Sequence, residues 1–206
     1  FYVNEARRAG GRIHAPCVNR SVYATRLDGR DIWLGFVHLK DLEQNLAQRI
    51  IAERQRGGVF ADLADFCARV PVGREQLQLL IRVGAFRFSQ KSRKTLFWEA
   101  GMLVGKSTRE ASALAGSLFR SAPREFELPM LEDRSLEDAY DQMELLGFPL
   151  CNPFQMLDYH GDSLLAADLD RPGLRRVRII GYFVTGKPLR ASNGAPMQFG
   201  TFLDGE

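Results

Sequence analysis

Two short bends carry the residues best suited to hold an anion. The first is Asp41-Leu42-Glu43, followed by Gln44, Asn45, Leu46, Ala47, Gln48, Arg49 and Ile50. The apolar plug Leu42, the small Ala47 and Ile50 fall at the spacing of a backbone hairpin that opens a helix. In such a hairpin a glycine on each side of the plug lets the backbone approach a phosphate. The amides and dipole at the helix N-terminus then favour the anion, with no base being read. Here Asp41 and Glu43 stand in the glycine places. Two carboxylates repel a phosphate, and they suit an N-terminal helix cap equally well. Lys40, Gln44, Asn45 and Arg49 are the groups that could restore contact. The second bend, Pro71-Val72-Gly73, keeps one glycine and is flanked by Arg69 and Arg74, with Leu77 and Leu80 in the places of the small residue and the isoleucine. Its candidate contacts are Arg69, Val72, Gly73 and Arg74. Arg87, Lys91, Arg93 and Lys94 form a basic cluster nearby, which reads as a phosphate contact or as a solvated helix start.

Independent catalysis finds little support. His14, His38 and His160 are the only histidines, and none has a carboxylate or cysteine at a metal-ligand spacing. Asp158 and Asp162 flank His160, in what reads as a polar acidic loop. Nucleophile-elbow, zinc-protease, phosphate-loop and dinucleotide motifs are lacking. Cys17, Cys67 and Cys151 are widely spaced and odd in number, so they read as idle thiols in a reducing compartment. No apolar run approaches the roughly 18–20 residues of a membrane span. The chain opens on Phe1 without the pattern of a signal peptide, which fits a processed chain or a piece of something longer.

These residues must be positioned by a mostly helical α+β chain of 206 residues. Tyr2–Ala9 reads as a helix end stopped by Gly10-Gly11. Val22–Leu27 and Ile32–Leu34 read as a β-hairpin turning at Asp28-Gly29. From Gly35 to about Ala100 the apolar residues recur at helical spacing, with breaks at Gly57-Gly58, Pro71–Gly73 and Gly84 and a cap at Asp62. Residues 105–135 look loose, and residues 136–147 form an acidic helix with Leu136, Ala139, Met143 and Leu146 on one side. Residues 176–184 and 197–203 read as strands separated by a turn at Ser192-Asn193-Gly194. Two strands cannot close a sheet, so that last unit reads as incomplete. Charge follows the same division: net +7 over residues 1–100, −11 over 125–170 and +4 over 171–206, against +3 for the chain. Such an asymmetry suits a polyanion on the basic regions, and also plain solvated faces.

The two bends fit the helix-hairpin-helix pattern, and the order of further segments is similar to a known family. Tyr2–Arg7, Pro16–Ser21, Ile32–Phe36, Glu53-Arg54, Gly57–Phe66, Leu80–Phe86, Glu144–Leu150 and Asn152–Phe154 resemble the bacterial DNA polymerase III alpha subunit over essentially the whole chain. The resemblance implies residues 1–34 as the end of the polymerase fingers, 35–100 as tandem helix-hairpin-helix, 101–170 as a linker and 171–206 as the start of an OB-fold. It implies a grip on duplex DNA and processivity. The catalytic aspartates would lie in a palm before Phe1, so the chain alone is expected to be inactive. The parent would transfer nucleotides with magnesium, as the main replicase or an error-prone relative. Ala115–Phe119 resembles the family's sliding-clamp peptide, with Leu118 and Phe119 as the inserted pair beside Ser117; the glutamine that would precede them is missing. In the OB-fold, Tyr182, Phe183, Lys187, Arg190 and Phe199 are the candidates for single-stranded DNA, at least half of them core by alternation. Implied partners are double-stranded DNA, the clamp, single-stranded DNA and other replisome subunits, in the cytoplasm and without a membrane. The alternative is a protein-interaction scaffold whose hairpins no longer bind DNA.

Overall fold

The computed structural model describes residues 2–113, 136–158, 163–173 and 176–204. Several of its helix ends are set by local chemistry. α1 is Tyr2–Arg8, α2 Gln44–Gly57, α3 Leu63–Arg69, α4 Arg74–Arg82, α5 Arg93–Ala113 and α6 Glu137–Leu146. Asp62 caps α3, its carboxylate accepting the Asp65 amide at 2.8 Å, while Asp65 Oδ2 accepts the Ala61 amide. α4 closes through Gly84 at φ +82°, with the Ala85 amide returning to the Leu80 carbonyl at 2.9 Å. α6 closes likewise through Gly147 at φ +84°.

The strands fall into two sheets. β1 (Arg12–His14), β2 (Arg26–Asp28) and β3 (Asp31–Trp33) are ordered β1-β3-β2, with β1 parallel and β2 antiparallel to β3. β4 (Tyr182–Arg190) and β5 (Pro196–Leu203) form one antiparallel ladder with an irregularity between Phe183 and Thr185.

Two units result, Gly10–Leu150 and Phe1–Ala9 with Cys151–Glu206. The first holds the hydrophobic core. Phe36, Leu46, Ile50, Phe60, Leu63, Phe66, Leu77, Leu80, Ile81 and Phe86 are each less than 2% exposed. Phe60, Phe66 and Phe86 meet edge to face at centroid distances of 5.1 and 5.0 Å. Asn19 ties the sheet segment to this core by donating from Nδ2 to the Phe60 carbonyl and accepting the Phe60 amide at Oδ1. In the second unit none of the described residues is buried.

The structure departs from the sequence expectations at five places. Val22–Thr25 is not strand: the carbonyls of Val22 and Tyr23 instead accept the amides of Phe36 and Val37. Gly35 permits that close approach, because a Cβ there would lie 2.3 Å from the Ala24 carbonyl carbon. Before the first bend there is only a single 3-10 turn, Phe36–His38, not a helix. α5 runs on to Ala113, into the stretch expected to be loose. Strand β4 starts at Tyr182 rather than residue 176 and continues through Pro188, a residue tolerated on an edge. Finally, α6 belongs to the helical unit and is no connector. It buries Ala139, Gln142 and Leu145, while Met143 is 41% exposed. Arg82 of α4 and Arg93 of α5 pair with its acidic residues. The expected boundaries at 34/35 and 100/101 therefore run through one unit.

Candidate nucleic-acid interface

The first bend keeps the backbone that its sequence puts in question. Asp41 holds φ +62°, the left-handed conformation that glycine enters freely and aspartate tolerates better than most residues. Glu43 precedes α2 in an extended conformation and makes no side-chain cap. The Ala47 amide is the first bonded back into α2, to the Glu43 carbonyl. By helix geometry the amides of Gln44, Asn45 and Leu46 form the open end. Asp41, Glu43, Gln44, Asn45 and Arg49 are exposed, and Leu42 is half-buried as the plug. A depression lined by Glu43, Asn45, Gln48, Arg49 and Ala52 follows this edge of α2.

The second bend joins α3 to α4. Gly73 precedes α4 in an extended conformation, and a Cβ there would touch nothing. The Leu77 amide is the first bonded back, so Arg74, Glu75 and Gln76 form the open end. Gly73 and Arg74 are exposed and Val72 half-buried.

Gln76 joins the bends, a role that sequence reasoning missed. Its Nε2 donates to the Asp41 carbonyl at 3.0 Å, and its Oε1 accepts the Glu43 amide at 2.9 Å. One amide side chain thus brackets the plug Leu42 and fixes the two helix N-termini to each other. The only sequence signal was a glutamine in the first turn of α4.

The expected cations divide into two groups. Among the described residues, Arg49 and Arg74 have no carboxylate partner. Lys40 is exposed, but its charge helps hold the Glu144 carboxyl below its ordinary pKa, after the larger effect of the Arg82 hydrogen bond. The others are engaged within the protein. Arg69 bonds the Glu53 and Asp65 carboxylates and the carbonyls of Glu53, Gly58 and Val59. It corrects the expectation of a phosphate contact, since its guanidinium is spent on the α2–α3 turn. Arg93 on α5 pairs with Glu137, Asp138 and Asp141 of α6 and is only 16% exposed. It too is a structural group. Lys91 donates to Glu99 at 2.6 Å. Lys94 lines a depression with Phe97, Tyr140 and Asp141.

The same helix α6 takes Arg82, through Asp141 and Glu144, and Arg87, through Asp138. The Glu144 hydrogen bond, reinforced by Asp141, raises the Arg82 pKa. Burial pushes the Cys67 thiol up to about 11 and raises Cys17 as well, which suits inert thiols.

Ser117, Leu118 and Phe119 lie outside the described residues, as do His160 and Asp162. Tyr182, Lys187, Arg190 and Phe199 all fall on the β4–β5 ladder, Phe199 60% exposed and directly opposite Lys187. Among the described residues no three His, Cys, Asp or Glu converge to hold a metal, and no helix is long and apolar enough to cross a membrane.

Comparison with known proteins agrees with this geometry. The family model described as "Helix-hairpin-helix motif" matches residues 10–96. The chain is 35% identical over 101 residues to the "Error-prone DNA polymerase" of Mycobacterium tuberculosis, which is 48% of this chain and 9% of that protein. It is 32% identical over 143 residues to the "DNA polymerase III subunit alpha" of Thermus aquaticus, covering 66% of this chain and 11% of the relative. With the subunit of the same name from Borreliella burgdorferi the identity is 27% over 223 residues, or 99% of this chain and 19% of the relative. The chain therefore spans between 9% and 19% of the length of these relatives. Through the shared helix-hairpin-helix region and the run of similarity around it, the chain is similar to part of the bacterial DNA polymerase III alpha subunit.

Proposed function

We propose that the paired bends grip duplex DNA by its sugar-phosphate backbone on behalf of a DNA polymerase, and so add to its processivity. The observation that carries this reading is the backbone of the first bend: Asp41 at φ +62° preserves the tight turn although both glycines are replaced. Gln76 then holds this turn against the N-terminus of α4, so two sets of helix-start amides act as one surface. Phosphates settle at the open amides of α2 and α4. Arg74 and Arg49 supply the cations, and Gln44 and Asn45 supply neutral donors. The second bend is the stronger site, because Gly73 leaves the approach clear and no carboxylate sits in the turn itself.

The rest of the polymerase function follows from the same family reading. Template-directed synthesis with magnesium is the activity of the whole enzyme, and the ion has no part in the grip described for this chain. Ser117, Leu118 and Phe119 dock a sliding clamp, and the β4–β5 ladder offers Tyr182, Lys187, Arg190 and Phe199 to single-stranded DNA. Other replisome subunits surround it in the cytoplasm.

Fluorescence anisotropy with primed duplex DNA tests the grip. Binding weakens with salt, log K falling by about 0.9 per phosphate neutralised. Arg49→Ala and Arg74→Ala each flatten the slope by about 0.9. A slope untouched by the double variant would remove DNA from the role of these bends. The scaffold reading would then win, with exposed Asp41 and Glu43 and the Gln76-occupied Glu43 amide as its support. Gln76→Leu separates positioning from charge. Loss of two exposed hydrogen bonds costs about 1 kcal/mol of coupling between the bends, or about five-fold in duplex affinity. Its salt slope stays that of the parent, because no cation is lost, and the same titration reads both.

A further inference from the structure

The three-stranded sheet has a face that the bends do not use. Register places Arg12, Asp31 and Asp28 side by side, and His14, Trp33 and Arg26 side by side. Directly opposed residues share a face, so these six side chains leave the sheet together, and Ile13, Ile32 and Leu27 leave on the other side. The His14 imidazole lies almost flat on the Trp33 indole, with centroids 4.2 Å apart and planes 16° apart. Asp31 fixes the stack, its Oδ1 lying 2.7 Å from His14 Nε2. Arg12 in turn holds Asp31 with two hydrogen bonds of 2.8 and 2.7 Å. The Arg12 bonds first, and His14 second, keep the Asp31 carboxyl below the usual carboxylate range. It remains the anion that orients the ring.

Asp31 is thereby used up, and positive charge is left over. Arg20 sits with its guanidinium carbon 5.9 Å from the Trp33 centroid. Arg20, Arg26 and Arg30 are exposed, and among the described residues none of them has a carboxylate partner. Among the described residues, Asp28, at the turn end of the face, is the one carboxylate of that face outside the Arg12–His14 cluster. Arg54 is close by: burial first, with the Arg26 charge adding to it and Cys17 opposing, holds its pKa below the ordinary value.

A braced aromatic pair ringed by unpaired guanidinium groups matches one ligand chemistry, a planar base joined to phosphate. Aromatic faces take bases by stacking, and arginine takes phosphate through its planar fork while also lying on rings. A free phosphate leaves the stack unused, and a duplex keeps its base faces inside. We propose that this sheet face takes up an unpaired nucleotide of single-stranded nucleic acid, its base on the Trp33–His14 stack and its phosphates at Arg20 and Arg26. The site goes beyond the backbone grip of the bends and stands on separate residues.

Trp33 reports on its own occupancy. The chain has two tryptophans, and Trp98 is 54% exposed on α5, so Trp98→Phe leaves Trp33 as the sole emitter in a folded protein. Titration of the Trp98→Phe chain with dT12 quenches Trp33 emission, whereas an abasic 12-mer carrying the same phosphates leaves it unchanged. Arg20→Gln with Arg26→Gln flattens the salt slope for dT12 by about 1.4, at about 0.7 per phosphate on a single strand. Trp33→Ala weakens dT12 at least five-fold, the lower end of what one stacked base contributes. If Trp33→Ala fails to fold by circular dichroism, the surface double variant decides instead, and an unchanged salt slope in it overturns the proposal. Emission unmoved by dT12, equal quenching by the abasic strand, or unchanged dT12 affinity in folded Trp33→Ala each overturns it too, the last assigning the strand to the β4–β5 ladder. Loss of duplex binding in Arg49→Ala/Arg74→Ala leaves this quench intact, so the two readings fail separately.

Discussion

Arg69→Ala lowers the unfolding free energy of the helical unit by about 3 kcal/mol and leaves the duplex affinity of the folded protein unchanged. The guanidinium is 18% exposed and reaches three backbone carbonyls and two carboxylates. It also lies 4.4 Å from the Phe60 ring centroid. A hydrogen bond to a charged group contributes about 1.5–3 kcal/mol and a cation-π contact about 1 kcal/mol, and such values do not add fully. Truncation removes the bonds to the Gly58 and Val59 carbonyls, takes the arginine from Asp65 and leaves Glu53 with Arg56 alone. Room for the fork depends on Gly57, where a Cβ would lie 2.6 Å from Arg69 Nη2. Arg69→Lys recovers less than half of the loss, because a single ammonium cannot span the same acceptors. Urea unfolding with anisotropy on the same samples checks both halves. A normal midpoint with weakened DNA binding would return Arg69 to the interface.

Phe66→Ala is the more damaging change, at about 3–5 kcal/mol. Phe66 is fully buried and is the middle ring of the Phe60–Phe66–Phe86 series. Its removal opens a cavity and deletes two edge-to-face contacts at once. Domains hold only about 5–15 kcal/mol in total, so a drop of roughly 10–15 °C in Tm is expected for this unit. Leu27→Ala is the matched control. Leu27 is 68% exposed, and its loss stays within about 0.5 kcal/mol of the parent. Calorimetry of the three proteins decides, and a Phe66→Ala transition close to that of the control would contradict the packing described.

Local signals in the sequence were sufficient for most helix ends. Asp62, Gly84 and Gly147 act through their own backbone and the next few residues, and such information is contained in a short window. What escaped was set by partners distant in the chain. Nothing near Arg12–His14 shows that it runs parallel to Asp31–Trp33, because the register joins residues 19 apart. α6 resembled part of a connector because its arginine partners lie 44 to 62 residues upstream. Its expected apolar side held at Ala139 and Leu146 but not at Met143, because docking in the helical unit also buries Gln142 and Leu145. At the bends, composition located the turns but left their fate open. Asp41 and Glu43 suggested repulsion, while the conformation of Asp41 and the reach of Gln76 are properties of the folded backbone. Arg69 and Arg93 carry the charge that a phosphate contact needs, and charge does not say which neighbour has already claimed it.

The acidic face of α6 has a consequence for any polyelectrolyte that approaches. Arg82, Arg87 and Arg93 arrive already matched by Glu137, Asp138, Asp141 and Glu144. The protein thus carries a built-in counter-ion, and a stretch that is basic by residue count is close to electroneutral once folded. An ion-release titration should register fewer displaced cations than the arginines in that stretch suggest.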